Sequence, residues 1–151
     1  MFFVINRCTG FNMSKSDYFE NALMSLIFQG TAIDDIAEND SSSPATALTL
    51  ALHTADPGES GDQTTNEATY TGYARQSVSR NSSGWSISGN VVSLIDNVVF
   101  PVATAGSETL THYSIGTGSS DRVLYYGVLD TSVAVVPGVQ PRITAGTVTE
   151  G

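Results

Sequence analysis

Leu48-Thr49-Leu50-Ala51-Leu52-His53-Thr54-Ala55-Asp56-Pro57-Gly58-Glu59 decides the fold class. Leu48, Leu50 and Leu52 alternate with Thr49, Ala51 and His53, the two-residue period of a β-strand that buries one face. Asp56-Pro57-Gly58 then stops it, because proline lacks a ladder N–H and glycine tolerates a positive φ. The same grammar fills the rest of the chain. Strands are expected near 73–80, 85–88, 91–95, 98–103, 109–116, 122–129, 132–136 and 141–148. They are punctuated by Asn81-Ser82-Ser83-Gly84, Ser88-Gly89-Asn90, Asp96-Asn97, Ala105-Gly106-Ser107, Gly116 to Asp121, and Pro137-Gly138. Short strands at roughly 8–12-residue spacing predict a sandwich or barrel, not a βαβ sheet.

Upstream, one helix is expected over residues 17 to about 28. Tyr18, Phe19, Ala22, Leu23, Leu26 and Ile27 recur at three- and four-residue steps, the stripe of a helix lying on a core. Ser16 or Asp17 supplies the cap, Asp17 with Glu20 resembles a capping box, and Gly30 stands where a left-handed C′ residue is expected. Asp34 to Pro44 is acidic and serine-rich and reads as a loop. Residues 1–12 differ in character from the rest of the chain, and Met13-Ser14-Lys15-Ser16-Asp17 reads like a natural start. The expected organisation is an extension or arm over 1–12 and a single β-domain over 13–151. Phe2, Phe3, Val4, Ile5 and Phe11 would make that arm apolar, suited to gripping a neighbouring subunit.

The 151 residues can bury about 68–70% of the surface of the unfolded chain, enough for one real core. Charged residues make up 14%, well below the usual share of about 25%; Ser, Thr, Gly and Asn replace them. Fifteen acidic and six basic residues leave a net charge of −9. So few scattered cations cannot displace the counterions of a duplex, so nucleic acid is not an expected partner. No apolar run approaches the ~20 residues of a membrane span. Phe2-Phe3-Val4-Ile5 is too short for a signal-peptide core and lacks a basic flank. The single Cys8 excludes an intrachain disulfide framework.

Candidate chemistry dissolves on inspection. His53 and His112 lie in strands beside threonines, and two histidines with one distant cysteine fall short of a zinc set. Asp56, Glu59, Asp62 and Glu67 resemble a calcium loop in ingredients, but the EF-hand spacing matches only in part and its helices are missing. No Gly-x-Ser-x-Gly elbow stands between strand and helix, and Gly116-Thr117-Gly118-Ser119-Ser120 lacks the lysine of a phosphate loop. No catalytic residue, cofactor or metal is expected. Trp85, Phe100, Tyr113, Tyr125 and Tyr126 read as core or interface area, as do Tyr70 and Tyr73 around Gly72, although a sugar-binding surface would leave the same trace.

The Leu48–Glu59 strand and turn, Tyr73-Ala74-Arg75, Gly84-Trp85-x-Ile-Ser-Gly89-Asn90 and Val99-Phe100-Pro101 occur here in a telling order. So do Thr109-Leu110-Thr111-His112-Tyr113-x-Ile115-Gly116, Leu124-Tyr125-Tyr126-Gly127 and Pro141-x-Ile143-x-Ala145-Gly146. Together these resemble a family of small tailed-bacteriophage virion proteins, labelled tail-fibre-like, head-decoration or cement proteins. The resemblance covers most of 13–150. It implies a structural protein without catalytic residues, made in the host cytoplasm and carried in the virion. The fold it implies is all-β, a jelly-roll-like β-sandwich with one N-terminal α-helix.

The leading expectation is a capsid decoration or cement protein that bridges subunits of the major capsid protein. The alternative is a tail- or fibre-associated component contacting the host surface. A carbohydrate-active enzyme is a third, which would need an acidic pocket. Thin charge protection over 85–150 leaves sheet edges to be paired, so self-association as a dimer or trimer is expected, with neither nucleic acid nor membrane as partner.

Overall fold

The computed structural model describes residues 11–29, 31–37, 45–88, 91–118, 121–145 and 147–149. The chain runs β1 (Phe11–Lys15), α1 (Asp17–Gln29), β2 (Ala47–His53), β3 (Gln76–Ser79), β4 (Trp85–Ser88), β5 (Val91–Leu94), β6 (Val98–Val99), β7 (Glu108–Gly116), β8 (Val123–Val135), β9 (Arg142–Ile143) and β10 (Thr147–Thr149). Eight strands form one hydrogen-bonded run in the order β3-β2-β7-β8-β1-β10-β5-β4, and β6 pairs with β9 separately. The class is all-β with one helix, as the turn spacing predicted; the jelly-roll detail rests on the resemblance alone.

This run cannot lie flat. Its two end strands, β3 and β4, are consecutive in sequence and joined only by residues 80–84. In a flat sheet the ends of eight strands lie about 34 Å apart at ~4.8 Å per spacing. The six peptide steps from Ser79 to Trp85 reach about 20 Å at full extension. The ladder therefore curls until its ends nearly meet. Gly84 shows how close they come: a Cβ there would stand 2.2 Å from the Ser79 carbonyl oxygen and 2.8 Å from Val78 Cγ1. Between β3 and β4 runs a seam.

β1, absent from the expected strands, makes the curl possible. Its first residues pair in parallel with β10, Phe11 with Val148 and Asn12 with Thr149. Its last three pair with β8, Met13 with Gly127 through Lys15 with Tyr125. One short strand thus passes from one part of the ladder to the other. The expected strands 122–129 and 132–136 form a single β8. The break anticipated at Asp130-Thr131 survives as a bulge, because two steps along β7 (Leu110 to His112) match five along β8 (Val133 to Val128). A bulge bends a strand without ending it. The expected strand 73–80 loses its start to the turn at Tyr70–Tyr73, and only Val98–Val99 of 98–103 is strand. The expected 141–148 divides into β9 and β10.

Two clusters hold the layers. The larger centres on Leu50, Leu52, Tyr70, Phe100, Leu110, Tyr113 and Val135. The smaller joins Phe19 of α1 to Ile33 and Leu124, with Leu48 and Tyr125 touching both. Phe19 meets the Tyr125 ring edge-on at 5.3 Å, a favoured aromatic geometry. Ser16 is the cap: its Oγ accepts the Phe19 N–H, its carbonyl accepts the Glu20 N–H, and its hydroxyl donates to the Val123 carbonyl. With Ser16 at the N-cap the third helical position is Phe19, so Asp17 and Glu20 do not form the expected capping box. Gly30 lies outside the described residues.

Candidate functional site

The predicted interface residues Phe2, Phe3, Val4 and Ile5 lie outside the described residues, as does Cys8. Phe11 is described by its backbone alone, in β1. The acidic loop does not gather its carboxylates. Asp62 Oδ1 accepts the N–H and hydroxyl groups of both Thr64 and Thr65, bonds that lower its pKa. Asp56 caps the Gly58 N–H, and Glu67 turns to Arg75. Among the described residues no three His, Cys, Asp or Glu side chains converge.

The histidines, far apart in sequence, are ladder partners on β2 and β7. His53 is fully buried. Its Nδ1 lies 2.9 Å from the Thr65 carbonyl and its Nε2 2.8 Å from Ser114 Oγ. A carbonyl only accepts, so Nδ1 carries the proton and Nε2 accepts from the serine. Ser114 Oγ in turn accepts from Gln63 Nε2, which also donates to the Thr49 carbonyl. Burial lowers the His53 pKa, against the raising effects of the Thr65 bond and of Glu67. A serine bonded to an oriented imidazole has the outline of a nucleophile and base. Here, however, His53, Gln63 and Ser114 are all 0% exposed, and a substrate carbonyl has no path to the hydroxyl. The triplet fastens the 54–75 segment to β2 and β7.

A second clamp secures the same segment. Arg75 forks onto Glu67, Nε to Oε1 at 2.7 Å and Nη2 to Oε2 at 2.8 Å, and reaches Asp121 through Nη1. These partners raise its pKa despite burial. Gly72, at φ 101°, occupies the third position of the turn closed by Tyr73 N–H on the Tyr70 carbonyl, where a type II turn demands glycine. That turn sends Tyr70 and Tyr73 inward. Tyr70 donates to the Pro101 carbonyl, and burial pushes its pKa up to about 12. Tyr73 stacks on Phe100 at 6.2 Å. Tyr70 and Phe100 are buried and the partly buried Tyr73 packs against the same cluster, in line with the core half of the core-or-interface expectation.

Beside the seam, between β3, the 80–84 turn and the segment leading into β6, the surface opens to solvent. A cleft of about 260 Å³ lies there, lined by Gln76 to Ser79 of β3, Ser83 and Gly84 of the turn, and Asp96 to Val99. The ladder's parity aims backbone groups into it. The Arg80 N–H on the Thr46 carbonyl makes Leu48/Val78 and Leu50/Gln76 the bond-exchanging pairs of the β2–β3 register. Ser77 and Ser79 therefore turn their backbone groups to the free edge. Ser79 O is taken by the Asn81 N–H. Asn97 is fixed in orientation, since its Oδ1 accepts the Ala145 N–H at 2.8 Å and leaves its NH₂ to point elsewhere. The Asp96 carboxylate and the Ser77 and Ser79 hydroxyls have no hydrogen-bond partner among the described residues. Among the described residues of the lining, Asp96 is the only charged side chain.

Compared with known proteins, residues 14–150 match the model of a family described as podophage GP4 fiber I protein gp80. The chain belongs to that family. No curated protein matches it in sequence. The gp80-family protein is thus a structural component of a tailed-phage virion, made in the host cytoplasm. The matched span begins inside β1 and takes in every seam residue.

Sequence reasoning placed Asp96-Asn97 and Asn81–Gly84 in turns and Ser77 and Ser79 in a strand. It did not bring them together, because their meeting depends on which strands end the ladder. It also missed the His53–Ser114–Gln63 triplet, whose members lie 51 and 61 positions apart.

Proposed function

We propose that this gp80-family protein is a fibre-associated part of the virion that contacts the host surface by binding, without catalysis. The observation that carries this reading is the match of residues 14–150 to a family described as a fibre protein. The seam supports it by offering a polar cleft in which the protein leaves hydrogen-bonding groups unused. A glycosidase needs two carboxyl groups across its substrate, and the described residues of the lining supply one, Asp96. The expectation of a capsid cement protein gains no observation from the described residues, whereas the fibre description favours the alternative. Self-association as a dimer or trimer belongs to the same proposal. Val102 and Val136 are both more than two-fifths exposed where 98–103 runs along 136–143, apolar surface that a second copy would cover.

Antibody labelling of intact virions tests the reading. Label on fibres, together with slowed adsorption when host cells are first incubated with purified protein, is the expected result. Label confined to the head would overturn it and make the major capsid protein the partner.

A further inference from the structure

We infer that the seam cleft binds one neutral sugar unit through its vicinal hydroxyls, an assignment of ligand that rests on the host-contacting reading above. Each sugar hydroxyl both donates and accepts, so a site for it needs acceptors and donors side by side. The cleft supplies both. The Asp96 carboxylate only accepts, the Asn97 NH₂ only donates, and the Ser77 and Ser79 hydroxyls do either. The outward N–H and C=O of Ser77 add one of each along the β3 edge. Val99, 44% exposed, offers apolar surface to the C–H face of a ring.

Competing ligand classes fit less well. An anionic sugar or phosphate would meet Asp96 and no lysine or arginine among the described residues of the lining, on a chain of net charge −9. A divalent cation needs more oxygen ligands than one carboxylate and scattered hydroxyls provide. A peptide adding itself to the β3 edge needs a free lane, with about 9.6 Å between the strands that flank it, yet Cα atoms of β6 come within 8 Å of those of β3. At about 260 Å³, the cleft falls below the roughly 300–1,000 Å³ of drug-sized sites, the scale of one ring and not of a glycan chain.

The turn and edge also make the site preorganised. Asn97 is held by Ala145, and Ser83 N–H and Oγ–H are both fixed on Asn81 Oδ1. A ligand then has to order only the Asp96, Ser77 and Ser79 side chains, and the groups already fixed favour binding.

The test is a backbone-amide NMR titration of the full chain with glucose, galactose and mannose and with their methyl glycosides. N-acetylneuraminate and a short Thr-Val peptide serve as the anionic and extended-chain probes. Saturable shifts are expected at Ser77, Ser79, Ser83, Gly84 and Asn97 for at least one hexose, with a Kd of about 1–10 mM. Asp96→Ala should weaken binding roughly tenfold by removing the charge-assisted acceptor, and Ser77→Ala should weaken it less. Both variants should keep the remaining spectrum. Equal response to a methyl glycoside assigns a chain-end unit and a loss on methylation a free sugar; either result supports the site. Absence of shifts at these amides, shifts undiminished by Asp96→Ala, or shifts with only the anionic or peptide probe would overturn it. Failure here leaves fibre labelling untouched, while head-only labelling with a sugar-responsive cleft sinks the fibre reading alone.

Discussion

The His53–Ser114–Gln63 triplet and the seam cleft are built from the same kinds of group, hydroxyls and amides beside one titratable side chain. They differ in where their bonds go. In the triplet both imidazole nitrogens, the serine hydroxyl and the glutamine NH₂ are directed at protein partners in a fully buried setting. In the cleft, Asp96 and the hydroxyls of Ser77 and Ser79 are directed at none among the described residues. Buried polar groups are costly unless satisfied, and apart from Gln63 Oε1 the triplet's groups are satisfied, so the first set holds the fold. Exposed groups are satisfied by water, which a ligand can replace, so the second set is free to recognise.

The contrast is broken most readily at the triplet. His53→Ala should lower the unfolding free energy by about 3 kcal/mol, since it removes two hydrogen bonds, leaves the Thr65 carbonyl without its imidazole donor and opens a cavity. A urea midpoint shifted by no more than that of Asp96→Ala would abolish the distinction. Arg75→Ala comes next, at about 2 kcal/mol. The fork onto Glu67 is mostly buried, whereas Asp121 is half exposed and contributes little; a double-mutant cycle with Glu67→Gln separates the two.

A smaller effect appears as pH dependence. Because the folded pKa of His53 lies below its ordinary 6.5, the unfolded chain binds the extra proton first. The contribution of His53 is therefore complete above pH about 6.5 and erodes as pH falls below it. Denaturation at pH 7.5 and 5.5 should show lower stability at 5.5, and a His53→Gln chain should lose that difference. Smallest of all, Asp96→Ala and Ser77→Ala should change stability by less than about 0.5 kcal/mol. A larger loss would mean that the cleft holds the fold together.

Local grammar made the strands and helix readable. Leu48, Leu50 and Leu52 announced β2, and the Tyr18–Ile27 spacing announced α1. Two kinds of information were hidden. Pairing across long separations is not written in periodicity, so β1's two-sided role and the seam had no local signal. Competition also settled some details: Asp130-Thr131 has turn character, but β7 pairs with β8 on both sides of it, and a bulge absorbs the extra residues. Ser16 outdid Asp17 as the cap because its hydroxyl also reaches the Val123 carbonyl, a partner invisible to the helix's own sequence. The alternation at Thr49-Ala51-His53 promised a solvent face; Ala51 and His53 are buried because the 54–75 segment folds back over it.

The five-residue turn over 80–84 has an evolutionary consequence. It joins the two ends of the ladder, bonded to it at Arg80 and Gly84, while its tip at Ser82 and Ser83 is exposed and pairs with no strand. Doubling its length costs only about 0.6 kcal/mol in closure entropy. A phage lineage can therefore lengthen or rewrite this lip of the cleft while the strands that keep the particle component folded stay as they are.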